Sequence, residues 1–147
     1  MAIDKSGKWW IGSECEDLVE YLKCLTAEGY LATQFRKAKC SCGSEDFRLA
    51  MDSNESVAKR TCSSCSAEHF ICDSGEFWTE AEPKEWKCIR KCKSKSANIC
   101  VGFALRQNKE DVHFVYIGTR CSKCGILGCC VDWQIRTSPS LHLLDSE

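Results

Sequence analysis

Two periodicities divide the chain. Near the N-terminus the apolar residues Ile11, Cys15, Leu18, Val19, Leu22 and Leu25 recur at helical spacing on one face. Ser13 followed by Glu16 reads as a capping box for that helix, and Gly29 as its stop. Cys24, nine residues after Cys15, falls on the opposite side and is expected to face water. From Cys40 the period changes to two. Phe47, Leu49 and Met51 alternate, "DSNE" turns, residues 57–61 return, and residues 67–72 supply a third strand. The plan then repeats. Ile99, Val101, Phe103 and Leu105 alternate, "QNKED" turns, Val112, Phe114, Tyr116 and Gly118 lead back, and Val131, Trp133 and Ile135 alternate again.

The pattern predicts a small α+β protein in which a helix precedes two tandem three-stranded antiparallel units. The expected divisions are an N-terminal helical segment (1–37), a first unit (38–75), a connector (76–86), a second unit (87–137) and a C-terminal tail (138–147). The connector is acidic, but Phe77, Trp78 and Trp86 predict that it packs against the strands. Leu141, Leu143 and Leu144 would anchor the tail.

Composition changes the picture of what holds these units together. The chain has 147 residues, and 14 of its 44% hydrophobic complement are cysteines, so its ordinary apolar core is thin. Units of roughly 50 residues bury too little surface to stand unaided and use metals or disulfides. The first residues, "MAIDKSGKWWIGSECED", hold no apolar signal-peptide core, and the longest apolar run, 126–131, is too short to span a membrane. A cytoplasmic protein with reduced thiols is expected, which favours metal over disulfides.

The cysteine spacing carries that expectation further. Cys40-x-Cys42 is followed after nineteen residues by Cys62-x-x-Cys65, and Cys88-x-x-x-Cys92 after twenty-eight by Cys121-x-x-Cys124. A tight turn can supply two ligands, a hairpin returns to supply two more, and zinc takes four thiolates tetrahedrally. These paired pairs resemble the zinc ribbon family, over residues 38–72 and 86–135. The resemblance implies two metal-bound ribbons, with Cys40, Cys42, Cys62 and Cys65 holding one zinc and Cys88, Cys92, Cys121 and Cys124 the other, two zinc ions per chain. The whole chain also looks similar to small uncharacterised bacterial zinc-ribbon proteins, which brings no activity with it. Two loops depart from the family's two-residue spacing, Cys40-x-Cys42 by one fewer and Cys88-x-x-x-Cys92 by one more. Rubredoxin-type iron sites also use four cysteines, but through two Cys-x-x-Cys loops, and each set here has one. Cys72 and His69 beside the first set, and Cys129 and Cys130 beside the second, are spare donors that read as strand residues.

Charge separates the function classes. Asp73, Glu76, Glu80, Glu82 and Glu85 face Lys87, Arg90, Lys91, Lys93 and Lys95 across a sharp boundary, while the formal net charge is only −1 and the pI near 6.3. The basic loop with Trp86 beside it suits phosphate and base contacts, so nucleic-acid binding is the alternative reading, opposed by the adjoining acidic block. Catalysis is not expected. His69, His113 and His142 lack sequence partners, Glu110-Asp111 reads as a solvated turn, and four thiolates leave a metal no open position. What remains is a non-catalytic protein that binds a protein partner, such as an inhibitor or immunity protein, with Trp9, Trp10, Trp78, Arg90 and Lys91 as candidate contacts.

Overall fold

A computed structural model describes residues 3, 10–13, 16–25, 32–52, 55–72, 74, 78–88, 93–105 and 112–135. It contains one helix, α1 (Asp17–Leu25), and the strands β1 (Gln34–Lys37), β2 (Phe47–Asp52), β3 (Val57–Cys62), β4 (Glu68–Phe70), β5 (Lys84–Glu85), β6 (Ala97–Leu105), β7 (Val112–Cys121) and β8 (Leu127–Gln134). All pairings are antiparallel, in the order β4-β3-β2-β6-β7-β8, with β1 added to β6 and β5 to β2. The architecture is therefore small α+β, with one helix on an antiparallel sheet. The two expected meanders, β2-β3-β4 and β6-β7-β8, share that sheet through one pairing, Phe47 with Ala97.

The period-two pattern sets the inner face. Phe47, Leu49, Ile99, Val101, Phe103, Val115, Ile117, Val131 and Trp133 fill one core with Trp86 of the connector. Trp86 is fixed there by its N–H, which donates to the Leu49 carbonyl at 2.7 Å. β7 departs from the expected alternation. Phe114 and Tyr116 join the outer layer under α1, and the inner face is carried by Val115 and Ile117. An irregularity between Ala104 and Leu105 lets Val112 return to the inner core, so β7 is apolar on both faces and its period is hidden.

α1 covers the outer face of the second meander with Leu18 and Leu22, both fully buried, worth about 1.5–3 kcal/mol each. The helix starts later than the spacing suggests. Ile11 is extended and bridges Ile126, and Cys15 lies outside the described residues. The Asp17 carboxylate accepts the Ser13 N–H at 2.8 Å and its hydroxyl at 3.4 Å, so the hydroxyl donates here instead of capping a helix N–H. Glu16, expected to complete the capping box, pairs instead with Lys37, which holds its carboxyl below the usual range. Residues 34–37, expected within the helical segment, form β1. Four residues are too few to display a period, and the free edge of β6 beside them recruits their backbone. β5 within the connector has the same origin on the edge of β2.

A polar bridge ties the halves. Asn98, buried on β6, donates to the Glu45 carbonyl at 2.9 Å and accepts from Arg120 of β7 at 2.9 Å. Arg120 also donates to the Gly12 and Ser13 carbonyls, at 2.8 and 2.9 Å. One guanidinium thus satisfies acceptors on the N-terminal segment and on β6, which in turn holds the first meander. Among the described residues no helix is long and apolar enough to cross a membrane.

The helix phase has a direct chemical test. Cys24 is exposed, as its phase predicts, whereas Cys100 is buried and Cys72 and Cys129 are partly covered. In metal-loaded native protein Cys24 is expected to alkylate fastest, as read by mass mapping after brief labelling. Protection of Cys24 with rapid labelling of Cys15 would mean that the helix faces are reversed.

Candidate metal centres

Each knuckle is built by the same backbone device. The N–H of the first cysteine donates across the loop: Cys40 to the Ser44 carbonyl, Cys62 to Ala67, Cys88 to Ser94 and Cys121 to Ile126, at 2.8–3.0 Å. The residue just before each acceptor has positive φ: Gly43 at 97°, Ser66 at 66°, Lys93 at 50° and Gly125 at 81°. In sequence each of these directly follows the second cysteine of its pair, namely Cys42, Cys65, Cys92 and Cys124. Loops of different length therefore close on one frame, and the unequal cysteine spacings are absorbed before the left-handed residue.

The hairpins then bring the pairs together. The sulfurs of Cys40, Cys42, Cys62 and Cys65 all lie within 4.8 Å of one another, with Cys40 to Cys65 at 3.5 Å and Cys42 to Cys62 at 3.6 Å. Cys88, Cys121 and Cys124 form a second group within the same limit, Cys88 to Cys124 being 3.5 Å. Tetrahedral zinc with Zn–S bonds of about 2.3 Å separates its sulfurs by roughly 3.8 Å, so both groups have the size such an ion requires. The spacing is far beyond the roughly 2.05 Å of a disulfide, and no disulfide joins the described cysteines. Both groups could hold a metal ion.

The loop amides prepare the thiols. The Cys65 N–H, reinforced by that of Ser64, holds Cys62 down to about 6 against its burial, and the Cys42 N–H lowers Cys40. In this first group the second cysteine of each pair, Cys42 and Cys65, is displaced upward. At Cys65 the Ala67 N–H pulls down, but the thiols of Cys40, Cys62 and Cys42 together outweigh it and push it to about 12. In that group the first cysteine of each loop is thus the more acidic, and Cys65 keeps its proton at neutral pH until a metal displaces it.

The two groups also share a register. Cys62 pairs with Phe47, Phe47 with Ala97, and Ala97 with Cys121, so both centres sit in one row at one end of the sheet. Three strand steps of about 4.8 Å put them roughly 14 Å apart.

Of the remaining candidates, Cys92, Trp9, Arg90, Lys91 and the Glu110-Asp111 turn lie outside the described residues, as do Phe77 and the tail. The spare donors Cys72, His69 and Cys129 join neither group. Cys72 packs against the inner core and Cys129 against the outer layer, and the side chain of Cys130 is not described. Trp10 is half-buried, edge-on to Tyr21 at 5.7 Å, which makes it part of the outer layer. Trp78 is half-buried beside Phe70, ring centroids 5.3 Å apart, with the Lys59 ammonium 5.1 Å from its ring. Phe70 itself was not singled out by the sequence pattern, because a strand of three residues shows no alternation. No protein-family model, curated protein or solved structure matches the chain.

Proposed function

We propose that the protein is a non-catalytic double zinc ribbon whose two zinc ions are structural and whose rigid surface binds a protein partner. Four thiolates fill a tetrahedral zinc and leave no site for water or substrate, which supports a scaffold role. Cys92 completes the second set in this reading. Its support is Lys93, which takes a left-handed conformation directly after Cys92, as Gly43, Ser66 and Gly125 do after the other second cysteines.

The partner reading rests on Phe70. It is 40% exposed on β4, an end strand of the sheet, with Trp78 packed beside it. An exposed aromatic, backed by a second, on the end strand of a sheet offers an anchor to another chain. The alternative, nucleic acid, draws on the basic loop, but Lys95 of that loop is held by Glu85 at 2.9 Å. The acidic connector thus folds back on the basic stretch and offsets part of its field.

Elemental analysis of protein purified without added metal is expected to give two zinc ions per chain, and Cys92→Ser to remove one. One metal per wild-type chain, or mostly iron, would contradict the metal reading. For the partner, wild type and Phe70→Glu are compared in native extract by crosslinking. A protein retained by the wild type is expected to be lost from the variant at unchanged zinc content. Submicromolar binding to mixed-sequence DNA or RNA at physiological salt, abolished by Arg90→Ala with Lys91→Ala, would replace the protein reading with the nucleic-acid one.

A further inference from the structure

Lined by none of the grouped cysteines, a cavity of about 560 Å³ opens between β8 and the segment around β5. The strand pairing explains why it is there. On the inner face Val115 pairs with Trp133 and Ile117 with Val131, but the next inward pair is Thr119 with Gly128. A large pair is replaced by a small one, and the hollow this leaves is bounded by Trp86, Met51 and Ile126.

Thr119 is the informative residue. It is 2% exposed, it lines the hollow, and among the described residues its hydroxyl makes no hydrogen bond. A buried hydroxyl without a partner carries a desolvation penalty of about 1–3 kcal/mol, and buried polar groups are otherwise almost always satisfied. A bound molecule would satisfy it.

The charges at the cavity have one sign left over. Lys84 and Lys87 line it and are exposed, and among the described residues neither makes an ion pair. Glu85 between them is engaged by Lys95. On the far side stand Tyr21 and Cys129. Burial raises the Tyr21 phenol, and burial followed by the charge of Asp132 pushes the Cys129 thiol up to about 12. Both keep their protons at neutral pH, the Cys129 thiol donating to the Val131 carbonyl at 3.6 Å, so that wall carries no charge of its own.

The geometry points to a binding site for a small organic carboxylate, its apolar body against Trp86 and Ile126, its body's polar atom at Thr119, and its charge met by Lys84 and Lys87. The volume lies within the roughly 300–1,000 Å³ of small-molecule sites. The site is remote from Phe70, since β8 and β4 are opposite ends of the strand order, and it adjoins the second sulfur group, where the Cys121 N–H donates to the Ile126 carbonyl at 3.0 Å, without using any of its thiols.

Calorimetric titration of the metal-loaded full chain with 2-naphthoate, octanoate and the neutral 2-naphthamide tests this. At least one carboxylate is expected to bind one per chain in the micromolar range, naphthoate alone marking an aromatic ligand and octanoate alone an aliphatic one. The amide should bind at least about tenfold more weakly than naphthoate where naphthoate binds, as loss of a charge-assisted contact implies. Lys84→Ala with Lys87→Ala should lower carboxylate affinity by a similar factor and leave the fold intact. Thr119→Val should weaken binding yet raise the Tm of the ligand-free protein, a pair of signs that a purely structural threonine would not give. Gly128→Leu should block the cavity, since a Cβ there meets nothing nearer than the Thr119 hydroxyl at 3.9 Å. If that variant misfolds, the threonine and lysine variants decide. Absence of carboxylate binding to the wild type, or binding unchanged by both the lysine and the threonine changes, overturns the proposal.

Discussion

Removing the metal with a strong chelator is expected to abolish the near-ultraviolet circular dichroism of the protein and to unfold both meanders. Cys40, Cys62, Cys88 and Cys121 are buried parts of the inner core, so the metal centres and the hydrophobic cluster are one body. A structural zinc contributes about 10–16 kcal/mol at neutral pH, and the whole stability of an ordinary domain is about 5–15 kcal/mol. In the proposed double-zinc reading, loss of either ion would therefore exceed or match what the rest of the fold supplies. The helix should melt with the sheet. At nine residues α1 is shorter than the roughly 12–15 that an isolated helix needs, and its buried side chains lie on β6, β7 and β8. A near-ultraviolet signal that survives complete stripping of both metals would show that the cysteines do not hold the fold.

That coupling was legible in the sequence only in part. Cysteine pairs separated by hairpin lengths gave the sulfur groups their described residues, four in the first and Cys88, Cys121 and Cys124 in the second, and alternation in residues 47–51 and 99–105 gave β2 and β6. The phase of Cys24 was also correct, because Leu18 and Leu22 define the helix face on their own. The joining of the two meanders was not readable. It rests on Phe47 meeting Ala97, fifty residues apart, and on an Asn98 and Arg120 bridge whose partners are mostly backbone carbonyls. Carbonyls leave no trace in residue identity. β1 and β5 were hidden for a related reason: each exists because a neighbouring strand offers an edge. The knuckle frame was half visible. Cys42-Gly43 and Cys124-Gly125 announce a left-handed residue, but Ser66 and Lys93 take the same conformation with nothing in their chemistry to reveal it.

Those two glycines should respond very differently to alanine. Gly43 has φ of 97° and open space around an added Cβ, so Gly43→Ala meets backbone strain alone, about 1–2 kcal/mol. Gly125 has φ of 81°, and a Cβ there would lie 2.5 Å from the Gly12 carbonyl oxygen and 3.1 Å from the Ile11 side chain. Neither obstacle is the free end of a flexible chain. The Gly12 N–H donates to the Gly125 carbonyl at 2.8 Å, Ile11 bridges Ile126, and the Leu127 N–H donates to the Trp10 carbonyl at 2.8 Å. To admit the methyl group the N-terminal segment must lift off the knuckle. It would take with it the two carbonyls that Arg120 binds and the start of the helix that Ser13 and Asp17 close. The expected loss for Gly125→Ala is about 4 kcal/mol or more, at the far end of single substitutions. At about 3 °C per kcal/mol for a chain of this size, Tm should fall by roughly 12 °C, against roughly 3–6 °C for Gly43→Ala. Thermal unfolding followed at two wavelengths measures both, with zinc content as the control. Equal shifts in the two variants would show that the N-terminal segment does not rest on Gly125.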